Sequence, residues 1–290
     1  MSETEREIAS QPECWRRAAD LIPEVAGALP PAGYRVAVIG CGTSWFMAQA
    51  YASLREDVGQ GETDAFAASE FPVARRYDRI VAISRSGTTT EVARVLRATD
   101  RPTVAISAVP GSPVTEAADA AVILDFADER SVVQTRFATT ALVLLRAHVG
   151  VDPAAGAAID ARRAVEGGLP HDPARFDHFV FLGHGWTGGL ASEAALKMRE
   201  TAQAHAEAYP AMEYRHGPIS LAGPGSLVWI FGTPDPTVAD AVASTGADLH
   251  VPVLDPIAEL VLVQRTALAL AEARGLDPDH PRNLTRSVVL

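Results

Sequence analysis

The chain repeats a strand, turn and helix unit, and this repeat restricts its fold more than any other feature. In the first half, the strand RVAVIG (35–40) runs into the turn Cys41-Gly42-Thr43-Ser44 and a helix to about Arg55. DAFAASEF (64–71), a second strand RIVAIS (79–84) and a helix from Thr90 follow. In the second half, HFVFLG (178–183) runs into the turn HGWTGG and a helix to about Thr201. AEAYPAMEY (206–214), the strand SLVWIFG (226–232) and a helix near Val238 complete that half. Gly40 pairs with Gly183, and SEF from Ser69 pairs with MEY from Met212, both at an offset of 143 residues.

The same order at a fixed offset means two related α/β units. Short apolar strands separated by helices of ten or more residues imply doubly wound, mainly parallel sheets flanked by helices, with right-handed crossovers. Ligands on such sheets bind at the carboxyl ends of the strands. The predicted layout is an N-terminal helical segment at 1–30, a first unit at 31–150, a connector at 151–176 with a helical middle at Ile159 to Val165, a second unit at 177–274 and an extended C-terminal arm at 275–290.

With 290 residues, 48% of them hydrophobic and 21% charged, the chain can bury a large core. Its apolar runs fall short of the roughly 20 residues a membrane helix needs. The N-terminus MSETEREIASQPECW has no apolar signal core, so a cytoplasmic protein with no membrane partner is expected. Cys14 and Cys41 are expected as thiols in a reducing compartment. A net charge of -11 argues against nucleic acid as a partner, although backbone N–H groups can still hold one small anion.

The residues with the most chemistry fall between Glu193 and Pro218, EAALKMRETAQAHAEAYPAMEYRHGP, which has a helical pattern. Lys197 is the only lysine in the chain; every other basic residue is arginine. Glu193, Lys197 and Glu200 are spaced four and three apart, which puts them on one helix face. Glu200 is a candidate general base, with a solvated acid paired to Lys197 as the plain alternative. His216 precedes Gly217-Pro218 and is a candidate proton shuttle. His205, inside an apolar helical stretch, is assigned to packing, and His184 is left open.

Ser84-Arg85-Ser86-Gly87-Thr88-Thr89-Thr90 joins a buried strand to a helix N-terminus. Capping needs one hydroxyl; five beside free N–H groups and the positive end of a helix dipole form a phosphate cradle. The turn at Gly40-Cys41-Gly42-Thr43-Ser44 invites comparison with a dinucleotide fingerprint, but Trp45 stands where the third glycine belongs. No metal and no organic cofactor is expected.

Taken together, CGTSW (41–45), ASEF (68–71), ISRSGTTTE (83–91), VVQTRFATT (132–140), EAALKMRE (193–200), HAEAYPAMEYRHGP (205–218) and PRNLTRSV (281–288) resemble the sugar isomerase (SIS) family of phosphosugar-binding proteins. The resemblance extends over nearly the whole chain. It is strongest to double-SIS proteins such as the isomerase half of glucosamine-6-phosphate synthase, without that protein's glutamine-hydrolysing domain, so no amidotransfer is expected. It implies that Thr43, Ser44, Ser84, Ser86 and Thr89 hold the sugar phosphate, with Arg85 where the family often has glutamine; Arg85, Gln134 and Arg286 are further candidate residues for binding the substrate or its phosphate. It further implies that Glu200 moves a proton between C1 and C2, that Lys197 lies beside it, and that His216 assists ring opening from a neighbouring subunit of a homodimer.

One departure alters the expected chemistry. The synthase tail carries a lysine that forms a Schiff base, and Arg286 occupies that position here. A guanidinium offers no free-base nucleophile, so imine formation there is excluded. The expected activity is C2 proton abstraction on a hexosamine 6-phosphate, leading to dehydration or to aldose-ketose isomerisation. Deamination of glucosamine 6-phosphate and non-catalytic sugar-phosphate sensing are the alternatives.

Overall fold

A computed structural model describes residues 1–151 and 154–290. Among these, β1 (Val36–Gly40), β2 (Thr63–Ala67), β3 (Arg79–Ile83), β4 (Thr103–Ser107) and β5 (Ala120–Ile123) form one sheet in the order β2-β1-β3-β4-β5. β6 (His178–Gly183), β7 (His205–Pro210), β8 (Ser226–Ile230) and β9 (Asp248–His250) form a second in the order β7-β6-β8-β9. Every pairing is parallel. The second order repeats the first four positions of the first, as the sequence repeat requires.

β1, β4, β6 and β8 are buried at every residue, because helices cover both faces of each sheet. One large apolar cluster joins the two units through Trp15, Tyr51, Phe137, Phe181 and Trp229, and a smaller cluster covers the outer face of each sheet. The first turn is built alike in both units. Gly42 and Gly185 each hold φ at +54°, a left-handed conformation that favours glycine.

Helix Thr43–Asp57 of the first unit packs along helix Thr187–Ala202 of the second. Gly189 makes the crossing close, since a Cβ there would lie 2.4 Å from the Phe46 carbonyl oxygen. Backbone cannot yield as a side chain can, so Gly189→Ala is expected to cost about 1–3 kcal/mol and to displace the helix carrying Glu200. Urea unfolding checks this; an unchanged midpoint would contradict the close crossing.

The sequence reading needs correction between Glu193 and Pro218. The helix stops at Ala202, Gln203 turns left-handed at φ +51°, and a strand begins at His205. Pairing with β6, His178 opposite His205, outweighs the helical pattern of AQAHAEA. His205 is consequently exposed on a strand, not packed in an apolar helix. The N-terminal segment is helical at Glu3–Ala9, Gln11–Asp20 and Ile22–Val25, and the connector forms a longer helix than expected, Ala154–Glu166. Residues 152 and 153 of that connector lie outside the described residues. Both cysteines are free thiols. No described helix is long and apolar enough to cross a membrane.

Candidate active site

The order of the first sheet reverses between β1 and β3, and loops leaving two such strands diverge to open a crevice. There a cavity of about 190 Å³ is lined by the turn at Thr43 and Ser44, the loop from Ser84 to Thr89, Gln134, Glu200 and the arm at 284–288. Helices Thr43–Asp57 and Thr90–Ala98 both begin at this cavity, and neither Gly42 nor Thr89 caps its helix with a side chain. Elsewhere Asp235 and Asp255 accept from the first-turn N–H groups of their helices. The hydroxyls of the loop instead bond one another, Thr88 donating to Ser86 Oγ at 3.0 Å and Ser84 lying 3.4 Å from Thr89. Two helix starts without a side-chain cap, their dipoles and mobile hydroxyl protons suit an anion. Gln134 adds a buried side-chain oxygen without a hydrogen-bond partner.

From the second unit, helix Thr187–Ala202 presents Glu193, Lys197 and Glu200 on one face, as their spacing predicts. Lys197 is 1% exposed, donates to Glu200 and to Thr43 Oγ1 at 3.2 Å, and lies 3.4 Å from Glu193. Thr43 in turn donates to Glu193 Oε1 at 3.3 Å. The second unit's helix is thus bonded to the first unit's turn, and Glu200, alone of the three, lines the cavity.

Burial pushes the Glu193 carboxyl up to about 8, against the pull of Lys197. Burial works to lower the Lys197 pKa, but the two carboxylates outweigh it and the net direction is upward. The ammonium therefore stays charged and serves Glu200 while Glu193 keeps its proton. A carboxyl raised above its ordinary 4.5 lends stability that is complete below that value and is lost as pH rises through about 8. Glu193→Gln is therefore expected to flatten the fall in stability between pH 5 and pH 8.5, read from denaturant midpoints. Equal slopes in the two proteins would contradict this.

Arg85 lies 1% exposed and also lines the cavity. Its guanidinium donates to the Ser131 carbonyl at 3.0 Å and the Arg286 carbonyl at 2.7 Å, and faces Glu129 at 3.6 Å. Arg286 itself donates to Asp128 at 2.6 Å. Ser287 Oγ lies 3.0 Å from Thr88 Oγ1, and the Leu290 N–H donates to Thr90 Oγ1 at 3.0 Å. The arm, predicted only as extended, is therefore fastened along the hydroxyl loop and forms one wall of the cavity.

His216 ends a short 3-10 helix, Glu213–His216, is exposed, and does not line the cavity. Within one chain it is not brought to Glu200. His184 is exposed in the first turn of the second unit. Sequence reading overlooked Glu91, a cavity residue with a buried carboxylate oxygen lacking a partner. Its place in the first helical turn reads equally as an ordinary helix-start acid.

The description SIS domain fits residues 29–149 and 174–243, well over half of the chain. The chain belongs to the SIS domain family. The first SIS segment holds the turn at Thr43 and the hydroxyl-rich loop, the second holds Glu193, Lys197 and Glu200, and the arm lies beyond both. Among curated SIS relatives, the isomerizing glutamine–fructose-6-phosphate aminotransferase of Aeropyrum pernix is 29% identical over 98% of this chain and 57% of its own length. The same enzyme of Gloeobacter violaceus is 28% identical over 88% and 52%. The chain spans about half the length of these relatives. Among solved structures, a glucosamine-6-phosphate deaminase from Thermotoga maritima superposes with a TM-score of 0.83 at 26% identity over 100% of both chains. A tagatose-6-phosphate ketose/aldose isomerase from Escherichia coli shares the fold, with a TM-score of 0.79 at 21% identity over 97% of this chain and 98% of its own.

Proposed function

We propose that this SIS protein is an enzyme of phosphosugar metabolism that moves a proton between C1 and C2 of a hexosamine 6-phosphate. The observation that carries the proposal is the shared cavity, lined both by an uncapped, hydroxyl-rich loop and by the Glu200 carboxylate. Ser84, Ser86, Thr89, Ser44 and the N–H groups of two helix starts hold the phosphate, and Gln134 accepts from a sugar hydroxyl. The open-chain form then places C2 before Glu200. Removal of that proton, acidified by the C1 carbonyl, gives an enol that is reprotonated at C1. With a free amine at C2, the resulting imine hydrolyses and releases ammonia.

Lys197 is bonded to Glu200 and does not form an imine, because a buried ammonium that stays charged is no nucleophile. Arg85 positions the loop and the arm through main-chain carbonyls. His216, exposed and remote from the cavity in its own chain, serves ring opening in the cavity of a second copy, so the working unit is a homodimer. The names of the Thermotoga deaminase and the Escherichia isomerase support this class of reaction. Incubation with glucosamine 6-phosphate, N-acetylglucosamine 6-phosphate and tagatose 6-phosphate, followed by NMR of the products and an ammonia assay, tests it. Ketose and ammonia from the free amine are expected; a dehydrated acetamido sugar as sole product would replace isomerisation with elimination.

A further inference from the structure

One rung of the second sheet collects two imidazoles, a carboxylate and a hydroxyl at the amino ends of its strands, away from the cavity. β6 opens with His178, β7 with His205 and β8 with Ser226, and the register sets His178 opposite both of the others. Side chains alternate along a strand, so Glu207 shares the face of His205. His178 Nε2 lies 2.9 Å from Glu207 Oε2, and its Nδ1 lies 3.1 Å from Ser226 Oγ. The rings of His178 and His205 stack with centroids 4.9 Å apart. One ligand atom from each of His178, His205 and Glu207 falls within 4.8 Å of the other two.

We propose that His178, His205 and Glu207 bind a divalent ion of the zinc class, with Ser226 orienting His178 and water completing the coordination. Bonds of about 2.0–2.2 Å at tetrahedral angles hold ligand atoms roughly 3.4 Å apart. The present spread closes to that by rotating the exposed His205 ring, which has no hydrogen-bond partner among the described residues. Two imidazoles with one carboxylate suit zinc, nickel, cobalt or copper, and not magnesium or calcium, which prefer oxygen. The Nδ1 contact to Ser226 is the kind of outer hydrogen bond that fixes a ligating ring. β7 is an edge strand, so the ion would tie it to β6 across the start of the sheet. An ion bound only by the folded chain raises stability by mass action.

Calorimetric titration of the chelator-stripped full chain with zinc chloride tests this, with magnesium chloride as the contrast. One zinc per chain, no magnesium, and a thermal midpoint that climbs with zinc concentration are expected. His205→Ala, at an exposed position that leaves the core intact, should lose the tight equivalent, and so should Glu207→Gln. Ser226→Ala should weaken it about 10- to 100-fold. Absence of zinc binding, or undiminished affinity and stoichiometry in His205→Ala, would overturn the proposal.

Discussion

Glu200→Gln is expected to slow proton exchange at C2 of a bound hexosamine 6-phosphate by about 10²- to 10⁴-fold, the usual contribution of a positioned general base. Binding should survive, because Glu200 is not among the residues proposed to hold the phosphate and the amide keeps the shape of the carboxylate. Calorimetry and isotope exchange on the same preparation separate the two effects. Retained exchange would move the base to another cavity acid, of which Glu91 is the next candidate. Glu193 is not an alternative, since its carboxyl is turned to Lys197 and Thr43 and does not line the cavity.

The largest loss of stability is expected from Arg85→Met. Glu129 is fully buried; its Oε1 accepts from the Thr135 and Arg136 N–H groups at 2.6 and 2.8 Å, and its Oε2 faces Arg85 without any hydrogen bond. Burial already raises the Glu129 pKa against the pull of Arg85, and removing the guanidinium takes away that countercharge, at a cost of about 3–5 kcal/mol. It also releases the Arg286 and Ser131 carbonyls, so the arm and the 131–132 loop should become accessible to protease. Glu129→Gln in the same chain should recover part of the loss, because the charge left unpaired is then gone. If urea unfolding shows under 1 kcal/mol lost and no recovery in the double variant, Arg85 is not the pin described here.

The repeat was legible because strand order and turn glycines recur together, and the second sheet reproduces the first four strands of the first. Five Ser and Thr residues marked the hydroxyl-rich loop in the sequence, and Thr89 makes no side-chain cap at the helix that follows. The spacing of Glu193, Lys197 and Glu200 told which face they share, but not that Thr43, 150 residues earlier in the chain, bonds to Glu193. That contact depends on a helix crossing at Gly189, and a single glycine in TGGLAS carries no mark of its partner. The carbonyls that Arg85 satisfies come from distant segments, so its loop carries no mark of them. The strand at His205 was hidden by local helix preference, which pairing with β6 overrides. The cluster of His178, His205 and Glu207 was hidden for the same reason: its residues converge only after β6 and β7 pair.

The central claim, proton transfer between C1 and C2 of a bound hexosamine 6-phosphate, is tested most directly by proton NMR in heavy water with glucosamine 6-phosphate. Loss of the C2 proton signal, far faster than in buffer and dependent on Glu200, is the predicted result. Saturable binding with the C2 signal undiminished would contradict it and leave the protein a sugar-phosphate sensor.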